Sequence, residues 1–208
     1  MIVCWAAKGG SGTTVVACAL ALGWPPSQAV TLVDLGGDCA TALGLDEPAG
    51  PGVTDWLASP TARPPDLAQL AVAVRDEVRL IPRGLGDTPD DQWPRLATAL
   101  SASGNVVIDA GTGRPPQALH DAAEQSLLVT RPCFMAIRRA QQSSLRPTGI
   151  VLVDEPGRAL TSSDVEHALG APVVAEVHLD PAVARAVDAG LLIARLPRSL
   201  VASLRGAA

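Results

Sequence analysis

Residues 1–22 read MIVCWAAKGGSGTTVVACALAL. The first seven residues are an apolar run of strand length. Residues 13–22 are helix-like in length and rich in small apolar side chains. Between them lies Lys8-Gly9-Gly10-Ser11-Gly12-Thr13-Thr14. A strand, a glycine turn and a helix N-terminus together make an anion site, because backbone N–H groups and the positive end of the helix dipole converge there. Gly9, Gly10 and Gly12 let the backbone approach closely and adopt positive φ. This stretch is therefore expected to cradle phosphate. Of the 16 lysines and arginines, Lys8 is the only lysine.

A standard phosphate loop reads G-x-x-x-x-G-K-[ST], with its lysine just before the final hydroxyl residue. Here that position is Thr13, so the loop keeps an early lysine and lacks the late one. Downstream, the pattern alternates between strand and helix. Strands are expected near 1–7, 29–34, 77–82, 104–109, 125–130, 148–153 and 173–178. Helices are expected near 13–23, 38–44, 53–58, 65–73, 90–102, 115–122, 134–145, 161–169, 181–188 and 198–206. Such alternation predicts a doubly wound α/β fold, a mainly parallel sheet with helices on both faces. Ser162 and Ser163 are expected N-caps, with Glu166 at capping-box spacing from Ser163. The Pro-rich stretch 46–66, which holds Trp56, reads as a loop with a short helix and no domain boundary. The whole of 1–208 is expected to form one domain.

The motifs come in a fixed order. After the glycine loop, Val30-Thr31-Leu32-Val33-Asp34-Leu35-Gly36-Gly37-Asp38 reads as a buried strand ending at Asp34, with Asp38 beyond it. Val106-Val107-Ile108-Asp109-Ala110-Gly111-Thr112-Gly113 is a second strand with the loop after it, and Leu127-Leu128-Val129-Thr130-Arg131-Pro132 a third strand, ending in Thr130-Arg131-Pro132. Gly149 to Asp154 and Val177-His178-Leu179-Asp180-Pro181-Ala182-Val183 close the series. Together these segments resemble the MinD/ParA family of deviant Walker A ATPases, whose loop reads KGGxGK[ST], over nearly the whole chain. Within the family, the Asp109-Ala-Gly segment and the short C-terminal helix look most like the CpaE/TadZ branch of polar localisation and pilus assembly. That branch's N-terminal receiver-like domain is expected to be absent.

The resemblance implies a P-loop NTPase of the SIMIBI type, binding ATP and Mg²⁺ in a homodimer closed over two nucleotides. It implies phosphate contacts from Gly9, Gly10, Ser11, Gly12, Thr13 and Thr14. It implies base contacts near Asp154, Asp180 and Pro181. Thr14, Asp34 and Asp109 match the residues that hold the metal, and such hard oxygen ligands suit Mg²⁺. Lys8 matches the lysine that reaches across to the partner's phosphates. Contact with its own subunit's phosphates is the other reading. Asp154 stands where the family often has Asn, which leaves the base open.

Two departures bear on catalysis. Thr13 replaces the lysine on the β- and γ-phosphates. Gly36 replaces the second carboxylate of Asp-x-Asp, which positions the attacking water; Asp38, two residues on, substitutes only through a remodelled loop. Phosphoryl transfer relies on positioning and charge stabilisation. Losing one preorganised donor costs about 10²–10³ in rate. Hydrolysis is therefore expected to be slow or absent, with Lys8, Asp34 and Asp38 the remaining catalytic candidates. Binding is expected to survive on the backbone cradle, the metal and Lys8.

The remaining composition narrows the choices. The chain has 208 residues, 48% hydrophobic, with one Phe, four Trp and no Tyr, so its core is aliphatic. No apolar run reaches the length of a membrane span, and no signal peptide is read, so a cytoplasmic location is expected. Cys4, Cys18, Cys39 and Cys133 show no C-x-x-C pair, which argues against an iron–sulfur carrier. Net charge is −5, with the acidic excess in the first half. Arg131, Arg138, Arg139 and Arg146 form a basic cluster; DNA contact through it is possible but not favoured in an acidic chain. Leu196, Leu200 and Leu204 share one helical face of the tail. Docking onto the domain is favoured over membrane binding. The expected role is a nucleotide-dependent dimeric positioning or assembly factor with an unidentified protein partner. An active ParA-type partitioning ATPase and a nucleotide-free pseudo-ATPase scaffold are the alternatives. A dethiobiotin-synthetase-like ligase is disfavoured, because no second lysine exists.

Overall fold

The computed structural model describes residues 1–46 and 48–207. Eight strands lie in one sheet. They are β1 (Ile2–Ala6), β2 (Val30–Asp34), β3 (Val72–Arg75), β4 (Val78–Ile81), β5 (Asn105–Thr112), β6 (Gln125–Thr130), β7 (Gly149–Asp154) and β8 (Val173–His178). Their order across the sheet is β3-β4-β2-β5-β1-β6-β7-β8. All neighbours are parallel except β3 and β4. The helices are α1 (Thr13–Leu22), α2 (Cys39–Leu43), α3 (Val53–Ala58), α4 (Pro64–Gln69), α5 (Trp93–Ser101), α6 (Gln117–Ala122), α7 (Phe134–Gln141), α8 (Ser162–Leu169), α9 (Pro181–Asp188), α10 (Leu192–Arg195) and α11 (Arg198–Ser203). The doubly wound, mainly parallel architecture expected from the sequence is the one observed.

The period-2 alternation of β1 divides the core. Ile2 and Cys4 pack with α1, α2 and the C-terminal helices, whereas Val3 and Trp5 pack with residues of α3 to α8. The indole of Trp5 is fully buried and donates to Ser126 Oγ at 3.1 Å, which satisfies its N–H. Each Val, Leu or Ile so buried contributes roughly 1.5–3 kcal/mol.

Several boundaries differ from expectation. The helix read at 65–73 stops at Gln69, and Val72–Arg75 becomes an antiparallel edge strand turning into β4 through Asp76. Its short Val-Ala-Val-Arg run has the β-propensity that a helical reading of the window overlooked. The caps read at Ser162 and Ser163 lie inside α8. Thr161 is the N-cap: its Oγ1 accepts from Asp164 N, and Asp164 Oδ2 accepts from Thr161 N. Glu166 instead accepts the N–H of Val173 at 2.7 Å, tying α8 to β8. α10 was not foreseen.

The stretch 46–66 contains α3 and the start of α4, and its Glu47 lies outside the described residues. Trp56 is buried; it donates to the Arg63 carbonyl and carries the Arg95 guanidinium 4.2 Å from its ring centroid. The tail docks as expected. Leu200 and Leu204 are buried in the α1 layer, and Gly23 leaves room for Val201, which a β-carbon there would meet at 2.8 Å. No helix among the described residues is long and apolar enough to cross a membrane.

Candidate nucleotide site

β1 delivers the chain to residues 8–14, and α1 departs from them. Gly12 caps α1 at φ 93°, a left-handed conformation that favours glycine, and no side chain caps the helix. The first-turn N–H groups of α1 are thus left for an outside acceptor. Ser11 Oγ donates to the Lys8 carbonyl at 2.8 Å and ties the turn across its base. Lys8 Nζ reaches only the Gly9 carbonyl, at 3.3 Å, and pairs with no carboxylate among the described residues.

A hollow of about 580 Å³ opens over this turn. Gly10, Ser11, Gly12, Thr13 and Thr14 line it, together with Gly36, Asp38, Gly111 and Thr112 and with Arg83. Asp34, the last residue of β2, and Asp109, within β5, are register partners, only 2% and 0% exposed. Asp34 accepts from Gly37 N at 2.6 Å and Cys39 N at 2.9 Å. Asp109 accepts from Gly111 N at 3.0 Å and from the Cys39 thiol at 3.6 Å. Burial pushes both carboxyls above the ordinary Asp range, against the opposing pull of those hydrogen bonds, with Thr14 also holding Asp109 down. One ligand atom each from Asp34, Cys39 and Asp109 lie within 4.8 Å of one another. Two desolvated carboxylates beside a threonine hydroxyl are a donor set that fits Mg²⁺, which tolerates one or two carboxylates and keeps several waters.

A second cleft of about 270 Å³ opens on the opposite flank of the loop. Val153, Val177, Leu179 and Val183 make it mostly apolar; Ser11 and Gly12 border it, as do Arg131, His178 and Asp180. Asp180 is the N-cap of α9, its Oδ1 accepting from Ala182 N, and Pro181 fills the first helical position. Asp154 ends β7 outside the lining; its carboxylate lies 3.4 Å from His178 Nδ1. An apolar slot with a few polar groups is the ordinary form of a small-molecule site.

The structure therefore brings Gly10, Ser11, Gly12, Thr13, Thr14 and Asp38 to one hollow, with Asp34 and Asp109 behind it. Asp180 stands at the second cleft, whereas Asp154 and Pro181 lie outside its lining. Lys8 and Gly9 lie outside both linings. Arg83 and Cys39 were missed. Arg83 follows β4, immediately beside β2, at the carboxyl end of the parallel strands where ligands gather, a place that shows only once the strand order is known. The sequence marks Cys39 only as a cysteine outside any C-x-x-C pair. Arg131, placed in a basic cluster by sequence, borders the second cleft and pairs with Glu155 at 4.0 Å.

No family model matches the chain, and no curated protein matches it. Solved structures do. A ParA family ATPase from Chlorobium tepidum TLS is 18% identical over 98% of this chain and 94% of that one, with a TM-score of 0.77. A chain of the MinC:MinD cell division protein complex of Aquifex aeolicus is also 18% identical, covering 98% and 93%, at 0.78. The septum site-determining protein MinD complexed with Mg-ADP, from Pyrococcus horikoshii OT3, is 20% identical over 99% and 93%, at 0.74. At such identities the likeness is one of fold. This chain has the P-loop fold of the MinD and ParA ATPases.

Proposed function

We propose that this protein binds ATP with Mg²⁺ and forms a nucleotide-bridged homodimer that positions or assembles cellular machinery, hydrolysing ATP slowly at most. The observation that carries the reading is the pairing of an intact cradle with altered chemistry. The uncapped N-terminus of α1 opens onto a hollow backed by Asp34 and Asp109, while Thr13 and Gly36 occupy positions where the resemblance calls for lysine and aspartate. The Mg-ADP of the Pyrococcus MinD and the partner protein of the Aquifex MinD give the reading support from outside the chain.

In this reading Gly9 to Thr14 hold the phosphates by backbone N–H groups, and Thr14, Asp34 and Asp109 hold the metal. The metal supplies charge neutralisation at the phosphate oxygens. Asp154, Asp180 and Pro181 belong to the base side, where the apolar cleft suits a stacked ring. Lys8, outside the hollow, serves the partner's phosphates. Asp38 offers an exposed carboxylate at the hollow, two residues from Gly36. The site sits in the cytoplasm, and an assembly role of the CpaE/TadZ kind is the preferred setting.

Calorimetry tests the reading. Wild type binds Mg-ATP, and Gly12→Val or Asp109→Ala removes most of that binding. ATP affinity unchanged by both substitutions places the nucleotide elsewhere, and no wild-type binding refutes the proposal.

A further inference from the structure

Arg83 is held as a built part of the hollow. Its main chain is clamped by the start of α3: Thr54 donates to the Arg83 carbonyl through both its N–H and its Oγ1, each at 2.8 Å, and Val53 N donates to the Pro82 carbonyl at 2.9 Å. Thr54 is one of the few fully buried polar residues, and this contact accounts for it. The side chain then folds over Gly37, where a β-carbon would stand 3.1 Å from Arg83 Cδ. Nη1 donates to the Leu35 carbonyl, and Leu35 in turn donates its own N–H to the Asp109 carbonyl. One guanidinium N–H is thereby used to fix the group. The others have no carboxylate partner among the described residues, and Arg83 lines the same hollow as Thr13, as well as a neighbouring hollow beside Asp34 and Gly37.

We propose that Arg83 is a phosphate-binding residue, its guanidinium standing in at the terminal phosphate of a nucleoside triphosphate for the cation that Thr13 does not supply. The apolar cleft flanks the loop on the β7–β8 side, and Arg83 approaches from the β4 side. A nucleotide with its base in the cleft extends its phosphates toward Arg83, so the last phosphate meets it. A guanidinium suits that task, because its planar fork matches phosphate oxygens and stays charged at every working pH. Arginine anchored by its own carbonyl partner also loses little side-chain freedom on binding. The inference rests on the nucleotide reading above and adds to it a discrimination between triphosphate and monophosphate.

The test is calorimetry with ATP, ADP and AMP, each with Mg²⁺. It compares wild type, Gly12→Val, Arg83→Ala, Arg83→Gln and Thr13→Lys with Arg83→Ala. Arg83→Gln retains an N–H donor for the Leu35 carbonyl and loses the charge, so it guards against a simple loss of loop structure. Arg83→Ala and Arg83→Gln are expected to weaken ATP by about 10- to 150-fold, the span of one charged hydrogen bond, and to leave AMP unchanged. Thr13→Lys in the Arg83→Ala background is expected to recover most of the loss. Equal weakening of ATP and AMP, with no recovery by Thr13→Lys, makes Arg83 a loop clamp and overturns the inference. So does wild-type ATP affinity in Arg83→Gln while Gly12→Val abolishes binding; the nucleotide reading then survives. Wild type that binds none of the three overturns both.

Discussion

Gly36 lies against Asp109: a β-carbon at residue 36 would stand 3.3 Å from Asp109 Oδ2 and 3.5 Å from Gly111 Cα. The missing water-positioning carboxylate is therefore not a free vacancy in the hollow. Asp109 is already short of solvent, and a third acid beside it and Asp34 adds like-charge repulsion.

Thr13→Lys should tighten ATP without restoring family-level turnover, because residue 36 still lacks its carboxylate. Gly36→Asp alone should weaken Mg-ATP by crowding Asp109. The double substitution should hydrolyse faster than either single one, since the new lysine offsets the new charge. Steady-state phosphate release checks all three. Brisk wild-type hydrolysis abolished by Asp109→Ala refutes the slow-hydrolysis account.

The buried acids set a pH signature for the metal-free protein. Burial, opposed by hydrogen bonds, raises the carboxyls of Asp34 and Asp109 in the folded state. The native state then binds their protons more tightly than the unfolded chain, so stability falls as pH rises from the ordinary Asp value of 3.8 through the raised values. Asp109→Asn should be more stable than wild type at neutral pH in chelator, and the gap should close on acidification toward pH 3.8. Melting temperatures of the two proteins across that range measure it. A gap that widens on acidification contradicts the assignment.

The C-terminal tail should behave as core. Leu204 is 2% exposed and packs in the α1 layer. Leu204→Ala should cost about 2–5 kcal/mol in denaturant unfolding. A cost near zero, together with loss of vesicle binding, returns the tail to a membrane role.

Much of this architecture was legible because its signals are local. The residues 1–22 announced strand, glycine turn and helix, and Asp34 and Asp109 each ended a buried apolar run, so their pairing followed once the sheet proved parallel. The strand Val72–Arg75 escaped because a four-residue edge strand after a helix carries too short a period to read. The cap of α8 slipped by one to two residues among Thr161, Ser162 and Ser163, each able to cap. Arg83 escaped for a different reason. Its place depends on Thr54 and Leu35, far from it in sequence, and only tertiary contacts reveal where an isolated arginine ends up.

Lys8 should act between subunits. It lies outside the hollow's lining, and its ammonium reaches only the Gly9 carbonyl. A partner phosphate in a closed, water-poor interface offers it a stronger, charge-assisted contact. Lys8→Ala should reduce ATP-dependent dimerisation far more than it reduces monomer nucleotide affinity. Sedimentation velocity and calorimetry on the same samples separate the two. Unchanged dimerisation with lost nucleotide binding assigns Lys8 to its own subunit's phosphates.

The most direct measurement passes wild type, incubated with Mg-ATP, through a sizing column and identifies the nucleotide carried by the dimer peak. The account predicts a dimer that carries intact ATP and does not form without nucleotide or in Gly12→Val. A monomer under every condition, or a dimer that forms equally well without nucleotide, contradicts it.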